Sequence, residues 1–181
     1  ATQRITAQLA VENGADFLVH SVDDEVLKPE FVQLMKKNKT LLCPTLIVHD
    51  GYVKTFGQNI NPSNYELLKA DPHQLGSLLD LKHLPDTLRI NMYKERANSL
   101  QSIASLKTAD SICMANLKIL SDAGVLIATG TDAGNIGTMH ASSYLNELQA
   151  MQQSGELAKV LAQVETKFQA TLLSGRNNIN L

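Results

Sequence analysis

The stretch Val125-Leu126-Ile127-Ala128-Thr129-Gly130-Thr131-Asp132-Ala133-Gly134 passes from unbroken apolar residues into turn-formers that bracket a carboxylate. Its apolar part is too short for an independent helix and is ended by glycines, so it predicts a buried strand. A carboxylate where such a strand meets its loop costs free energy unless it is paired or bound to a metal. In α/β folds the carboxyl end of a parallel strand is also where chemistry sits. The alternative is an Asp that caps the next helix or ties down a turn.

A second stretch repeats the arrangement. In Gly14-Ala15-Asp16-Phe17-Leu18-Val19-His20-Ser21-Val22, a short apolar run delivers one metal-competent side chain at its end. A lone His there is usually a satisfied structural residue. Two strand ends in one chain, one bearing His20 and one Asp132, fit a hydrolytic metal site better than either does alone. His20 beside Ser21, with Asp23 nearby, contains the letters of a triad. Adjacent strand residues point to opposite faces, which argues against that reading.

Around these runs the periodicity is helical. Thr2 suits the cap of a first helix with Ile5 and Leu9 on one face, stopped by Asn13-Gly14. Pro29 suits the first turn of a helix carrying Phe31, Leu34 and Met35. Residues 40–46 predict a further strand, with Pro44 implying a bulge or a lost ladder bond. Ser63 and Glu66 form a capping-box pattern, and Pro85-Asp86 opens another helical stretch. A helix through Ala109, Cys113, Leu117 and Leu120 stops at Gly124. Tyr144, Leu145, Leu148 and Met151 give one amphipathic helix, and Leu157, Val160, Leu161, Val164, Phe168 and Leu172 the last. Helices alternating with three short buried strands predict βα units and a parallel sheet.

The chain has 181 residues, 44% hydrophobic and 19% charged, which is ordinary for one globular domain with a sizeable core. With a formal net charge of -2 and no basic stripe, it gives no reason to expect a nucleic acid partner. Its apolar runs fall far below the roughly 18 residues of a membrane span. Cys43 and Cys113 lie far apart, form no CxxC, and read as small core residues. GxSxG, P-loop, GxGxxG and HExxH motifs are absent, which argues against serine hydrolase, nucleotide, Rossmann and zincin chemistry. The chain opens Ala1-Thr2-Gln3 without Met, so a preceding segment is expected. The compartment stays open, with the cytoplasm as the default and export an alternative.

The segments "GADFLVHSVDDE", "LLCPTLIV", "AGVLIATGTDAGN" and "HASSYLNELQAMQQSG", in this order, resemble the C-terminal part of an amidohydrolase-superfamily barrel. The resemblance is to the imidazolonepropionase-like or Xaa-Pro-dipeptidase-like type. It implies an α/β fold, a partial TIM (β/α)8 barrel, with residues 17–20, 41–46 and 125–128 as barrel strands six, seven and eight. Flanking helices and a helical insertion at about 55–108 would accompany these strands; three strands cannot close a barrel, since a whole one has eight in about 250 residues. The resemblance also implies that Asp132 binds the metal and takes the proton from the attacking water. His20 would be a metal ligand in two-metal members, or a contact to water or substrate in one-metal members. His140 would face the substrate.

His49 and Tyr52, just past the second expected strand, are placed to line a substrate pocket. His73 and His83 read as surface or packing residues, and Asp23, Asp24 and Glu25 as a solvated run before a helix. The cofactor implied is a divalent metal, Zn²⁺ before others, in one or two copies. It would lower the pKa of bound water and polarise the scissile carbonyl. The family's His-x-His pair is absent: His20, His49, His73, His83 and His140 are not so spaced. Two ligand candidates are too few for a catalytic zinc, so the expected partner is the missing N-terminal half of the barrel. The expected function is metal-dependent hydrolysis of a carbon–nitrogen bond in a small amide, cyclic amide or dipeptide-like substrate. The alternative is a non-catalytic barrel fragment serving as a binding or assembly module.

Overall fold

Two short apolar runs pair as expected. In a computed structural model that describes residues 2–80, 88–155, 158, 159 and 162, β1 (Phe17–Val19) lies parallel to β2 (Leu41–Cys43). The register is Phe17 to Leu41, Leu18 to Leu42 and Val19 to Cys43. The helix α1 (Arg4–Glu12) precedes β1, and α2 (Pro29–Asn38), between the two strands, forms the crossover that parallel strands require. Pro29 stands in the first turn of α2, and Lys39 closes it in the left-handed conformation at φ 57°.

The third expected strand does not form. Residues 126–128 touch β2 through one parallel bridge, Leu42 to Ile127. Leu42 N donates to Leu126 O at 3.0 Å, and Ala128 N to Leu42 O at 2.7 Å. Beyond that bridge, Thr129 and Gly130 lead the chain away, with Gly130 so close to Cys43 that a Cβ would collide with its thiol. Pro44 follows β2 and has no N–H to continue the ladder. The partial barrel of three parallel strands is therefore overturned: the described residues form a two-stranded sheet among eight helices. Short apolar runs specify burial, but a ladder needs partner backbone along its whole length.

After β2 come α3 (Val48–Phe56), α4 (Asn64–Lys69), α5 (Pro72–Leu79), α6 (Leu88–Asn98), α7 (Leu100–Asp122) and α8 (Ser143–Gln153). The capping box forms as read: Ser63 Oγ accepts from Glu66 N, and Glu66 Oε2 from Ser63 N at 2.8 Å. The expected starts at Pro85-Asp86, His83, and the helix through Leu157 and Phe168 lie outside the described residues. No helix among the described residues is long and apolar enough to cross a membrane.

Leu18, Leu42 and Ile127 meet Phe31, Val32 and Met35 of α2, Leu117 and Leu120 of α7, and Met151 of α8 in one buried cluster. In α1 the buried pair is Ala7 and Val11; Ile5 and Leu9 do share a face, but it is the exposed one. The i, i+4 pair of small residues lets α1 settle onto α2. Gln3, not Thr2, precedes α1 as its cap residue. Asp24 Oδ1 accepts from Arg4 N at 2.9 Å, and Glu25 pairs with the Arg4 side chain, so this acidic run serves the first turn of α1.

One buried amide fixes the segment that follows His20. Asn116 of α7 is 1% exposed; its Nδ2 donates to Val22 O and Glu25 O, both at 2.9 Å. Its Oδ1 accepts from Leu27 N at 2.8 Å. Replacing it with an isosteric apolar residue leaves these backbone groups unpaired. Asn116→Leu is expected to cost about 3 kcal/mol. Urea denaturation checks this, and an unchanged midpoint would show that the clamp contributes nothing.

Candidate functional site

At the carboxyl edge of the sheet, three residues other than glycine adopt positive φ: His20 at 74°, Thr45 at 48° and Asp132 at 51°. The other cases are Lys39 and Gln58, which follow helices α2 and α3, and Ala141, in the turn before α8. His and Asp tolerate the left-handed region better than most residues; a β-branched Thr there is an outlier. Such strain costs about 1–3 kcal/mol per residue and persists where the surroundings over-determine it, commonly at functional sites.

The side chains of these three residues converge. His20 Nδ1 lies 2.6 Å from Thr45 Oγ1. His20 Nε2 lies 4.0 Å from Asp132 Oδ2, too far for a direct hydrogen bond and close enough for both to act on one small group. Burial pushes the His20 pKa below the usual histidine value, and the Asp132 carboxylate opposes that only in part. The imidazole is thus neutral at neutral pH, with the Thr45 hydroxyl fixing its ring. The Ser21 hydroxyl is buried with no hydrogen-bond partner among the described residues, so no Ser–His couple forms.

Asp132 is anchored from its other side. Asn135 Nδ2 donates to Asp132 Oδ2 at 2.8 Å, and Tyr52 OH donates to Asn135 Oδ1 at 2.7 Å. The Asp132 side chain is 38% exposed, so it is open to solvent. The chain of contacts Thr45, His20, Asp132, Asn135, Tyr52 links the strand ends to helix α3. There, His49 Nε2 lies 3.6 Å from Asp23 Oδ2. His49 and Tyr52 line a pocket of about 410 Å³ between α3, α6 and α7. His140 is exposed; its ring lies over Gly134, and its backbone N donates to Gln74 Oε1 at 3.1 Å. Of the sequence-derived site residues, His20 and Asp132 face each other across a 4.0 Å gap, while Tyr52 joins Asp132 through Asn135. His49 stands next to Asp23, and the His140 ring packs over Gly134 of the loop that carries Asp132.

Two close approaches hold this frame. Gly137, at φ 82°, faces Gly51 of α3 so closely that a Cβ would overlap the Gly51 carbonyl. A Cβ on Gly51 would sit 2.9 Å from Ile136 O. The loop bearing Asp132 and Asn135 and the helix bearing Tyr52 thus pack backbone to backbone. The second hold is Glu147 of α8, 0% exposed, whose Oε1 and Oε2 accept from Leu46 N at 3.0 Å and Ile47 N at 3.1 Å. It pins the turn that displays Thr45.

Thr45, Asn135 and Glu147 were not singled out by sequence reasoning. A β-branched residue just past Pro44, where the strand has to end, was the available signal for Thr45. Glu147 reads in sequence as a solvated helix residue, and Asn135 as a turn-former.

Among the described residues no group of three His, Cys, Asp or Glu side chains is placed to hold a metal ion. Burial pushes the Cys43 thiol up to about 11 and the Cys113 thiol up to about 12, so both stay protonated and inert. No protein-family model, curated protein or solved structure matches the chain.

Burial lifts the Glu147 carboxyl to about 7, against the pull of the Leu46 and Ile47 amides. Its unfolded value is near the ordinary one, so the folded chain holds the extra proton between roughly pH 4.5 and 7. The associated stability is complete below that window and lost as the pH rises through about 7. Between pH 5 and 8 the wild type should lose roughly 2 kcal/mol more than Glu147→Gln does. Urea denaturation at each pH measures this; parallel profiles would remove Glu147 as the titrating group.

Proposed function

We propose that this chain carries the acid–base part of a hydrolytic site acting on a carbon–nitrogen bond. Its substrate is a small amide, cyclic amide or dipeptide-like compound. The observation that supports this most is the approach of His20 Nε2 to Asp132 Oδ2 at 4.0 Å, made by residues held in strained backbone. A neutral imidazole and a carboxylate across such a gap suit a water molecule that one orients and the other deprotonates. Asp132 accepts the proton as the water oxygen bonds to the carbonyl carbon. The same proton then passes to the leaving nitrogen as the carbon–nitrogen bond breaks. Thr45 is a positioning residue, holding the His20 ring through Nδ1, and Asn135 holds the carboxylate.

The family resemblance implies a divalent metal, with zinc first. A catalytic zinc takes three protein ligands, and His20 with Asp132 supplies two. The described residues do not by themselves fit a zinc site. A metal-dependent form of the activity needs donors beyond the described residues, and the proton path through Asp132 stands without them. The same shortage of donors supports a second reading, a non-catalytic module that binds a small molecule.

The test is hydrolysis of N-acyl amino acids, dipeptides and cyclic amides by the purified chain, with and without added zinc. Asp132→Asn and His20→Ala should each lower kcat/KM by about 100-fold or more. Thr45→Val should lower it about tenfold and displace the acidic limb of the pH profile, because it frees the His20 ring. Activity untouched by Asp132→Asn would sink the acid–base assignment, and no turnover of any substrate would favour the binding module. Elemental analysis should find less than one tight zinc per chain.

A further inference from the structure

The chain has four Phe, four Tyr and no Trp, and three of these rings meet in the pocket between α3, α6 and α7. Phe56 and Tyr93 stack with centroids 4.5 Å apart and planes 11° from parallel. Tyr52 tilts against both, at 6.2 Å and 6.5 Å. Rings at such angles present edges and faces together, which suits a further flat ring. A pocket of about 410 Å³ lies within the range that holds small organic ligands.

The charges around it choose the ligand's sign. Among the described residues lining the pocket there is no Asp or Glu, whereas Arg96 and His49 both line it. His49 is already faced by Asp23 at 3.6 Å, and it also acts electrostatically on Asp110. Arg96 has no carboxylate partner among the described residues. A guanidinium beside aromatic walls offers a planar fork to a carboxylate and suits no cation. The pocket also adjoins the hydrolytic pair, because Tyr52, one of its walls, reaches Asp132 through Asn135.

We infer that this pocket binds a small aromatic carboxylate, its ring against Tyr52, Phe56 and Tyr93 and its acid group on Arg96. This names the ligand class of the site proposed above, and rests on that reading only in taking the ligand for the substrate.

The test is isothermal titration of the full chain with 3-phenylpropionate, its neutral amide, and 3-cyclohexylpropionate. The aromatic acid should bind about tenfold tighter than either analogue, a difference of one ion-paired or ring contact. Arg96→Gln, at an exposed position, should erase the preference for acid over amide while leaving amide binding intact. Tyr93→Leu should weaken both aromatic ligands and leave the cyclohexyl acid unchanged. Equal affinity for acid and amide, an Arg96→Gln variant like the wild type, or no binding at millimolar ligand would each overturn the assignment. Asp132→Asn separates the two ideas: binding with no hydrolysis supports both, and failure of binding alone leaves the hydrolytic pair to be judged by turnover.

Discussion

The peptide groups around Leu42 are bonded on both sides, and the rest of the site follows from that. On one side Leu42 registers with Leu18 of β1; on the other its N–H and C=O meet Leu126 and Ala128. A buried backbone segment satisfied in both directions has little freedom to slip, because each lost bond leaves a polar group without water. Three chain segments therefore leave the sheet at one edge, in fixed order. His20, Thr45 and Asp132 are what they carry there.

Holding those residues has an energetic cost that local sequence cannot offset. Three non-glycine residues in the left-handed region oppose folding, and a Thr among them most of all. The compensation comes from distant elements: Glu147 on the turn after β2, Asn116 on the segment after His20, and the bare backbone contact of Gly51 with Gly137. The buried Glu147 carboxyl satisfies two backbone amides that would otherwise lie without a partner away from water. The edge is thus assembled by the helices, which arrive from up to about a hundred positions away.

This division explains what was legible beforehand. His20 and Asp132 were visible because each follows a short apolar run, a local pattern that marks where a chain leaves a buried sheet. Helix boundaries around Ser63, Pro29 and Gly124 were visible because caps are also local. The partial barrel was not correct, since an apolar run at 125–128 says nothing about how much partner backbone it finds, and it finds one bridge. Thr45, Asn135 and Glu147 escaped notice because their roles are defined by contacts that no periodicity encodes. The exposure of Asp132 was not legible, since it depends on neighbours the run does not specify.

The glycine pair also bears on how the two elements can move. Gly51 and Gly137 bring a helix and a loop together with no side chain between them to act as a cushion. Backbone packed on backbone in this way leaves little room for the helix to shift without the carboxylate loop. A displacement of α3 at this seam therefore reaches the loop of Asp132 and Asn135 with little slack to absorb it.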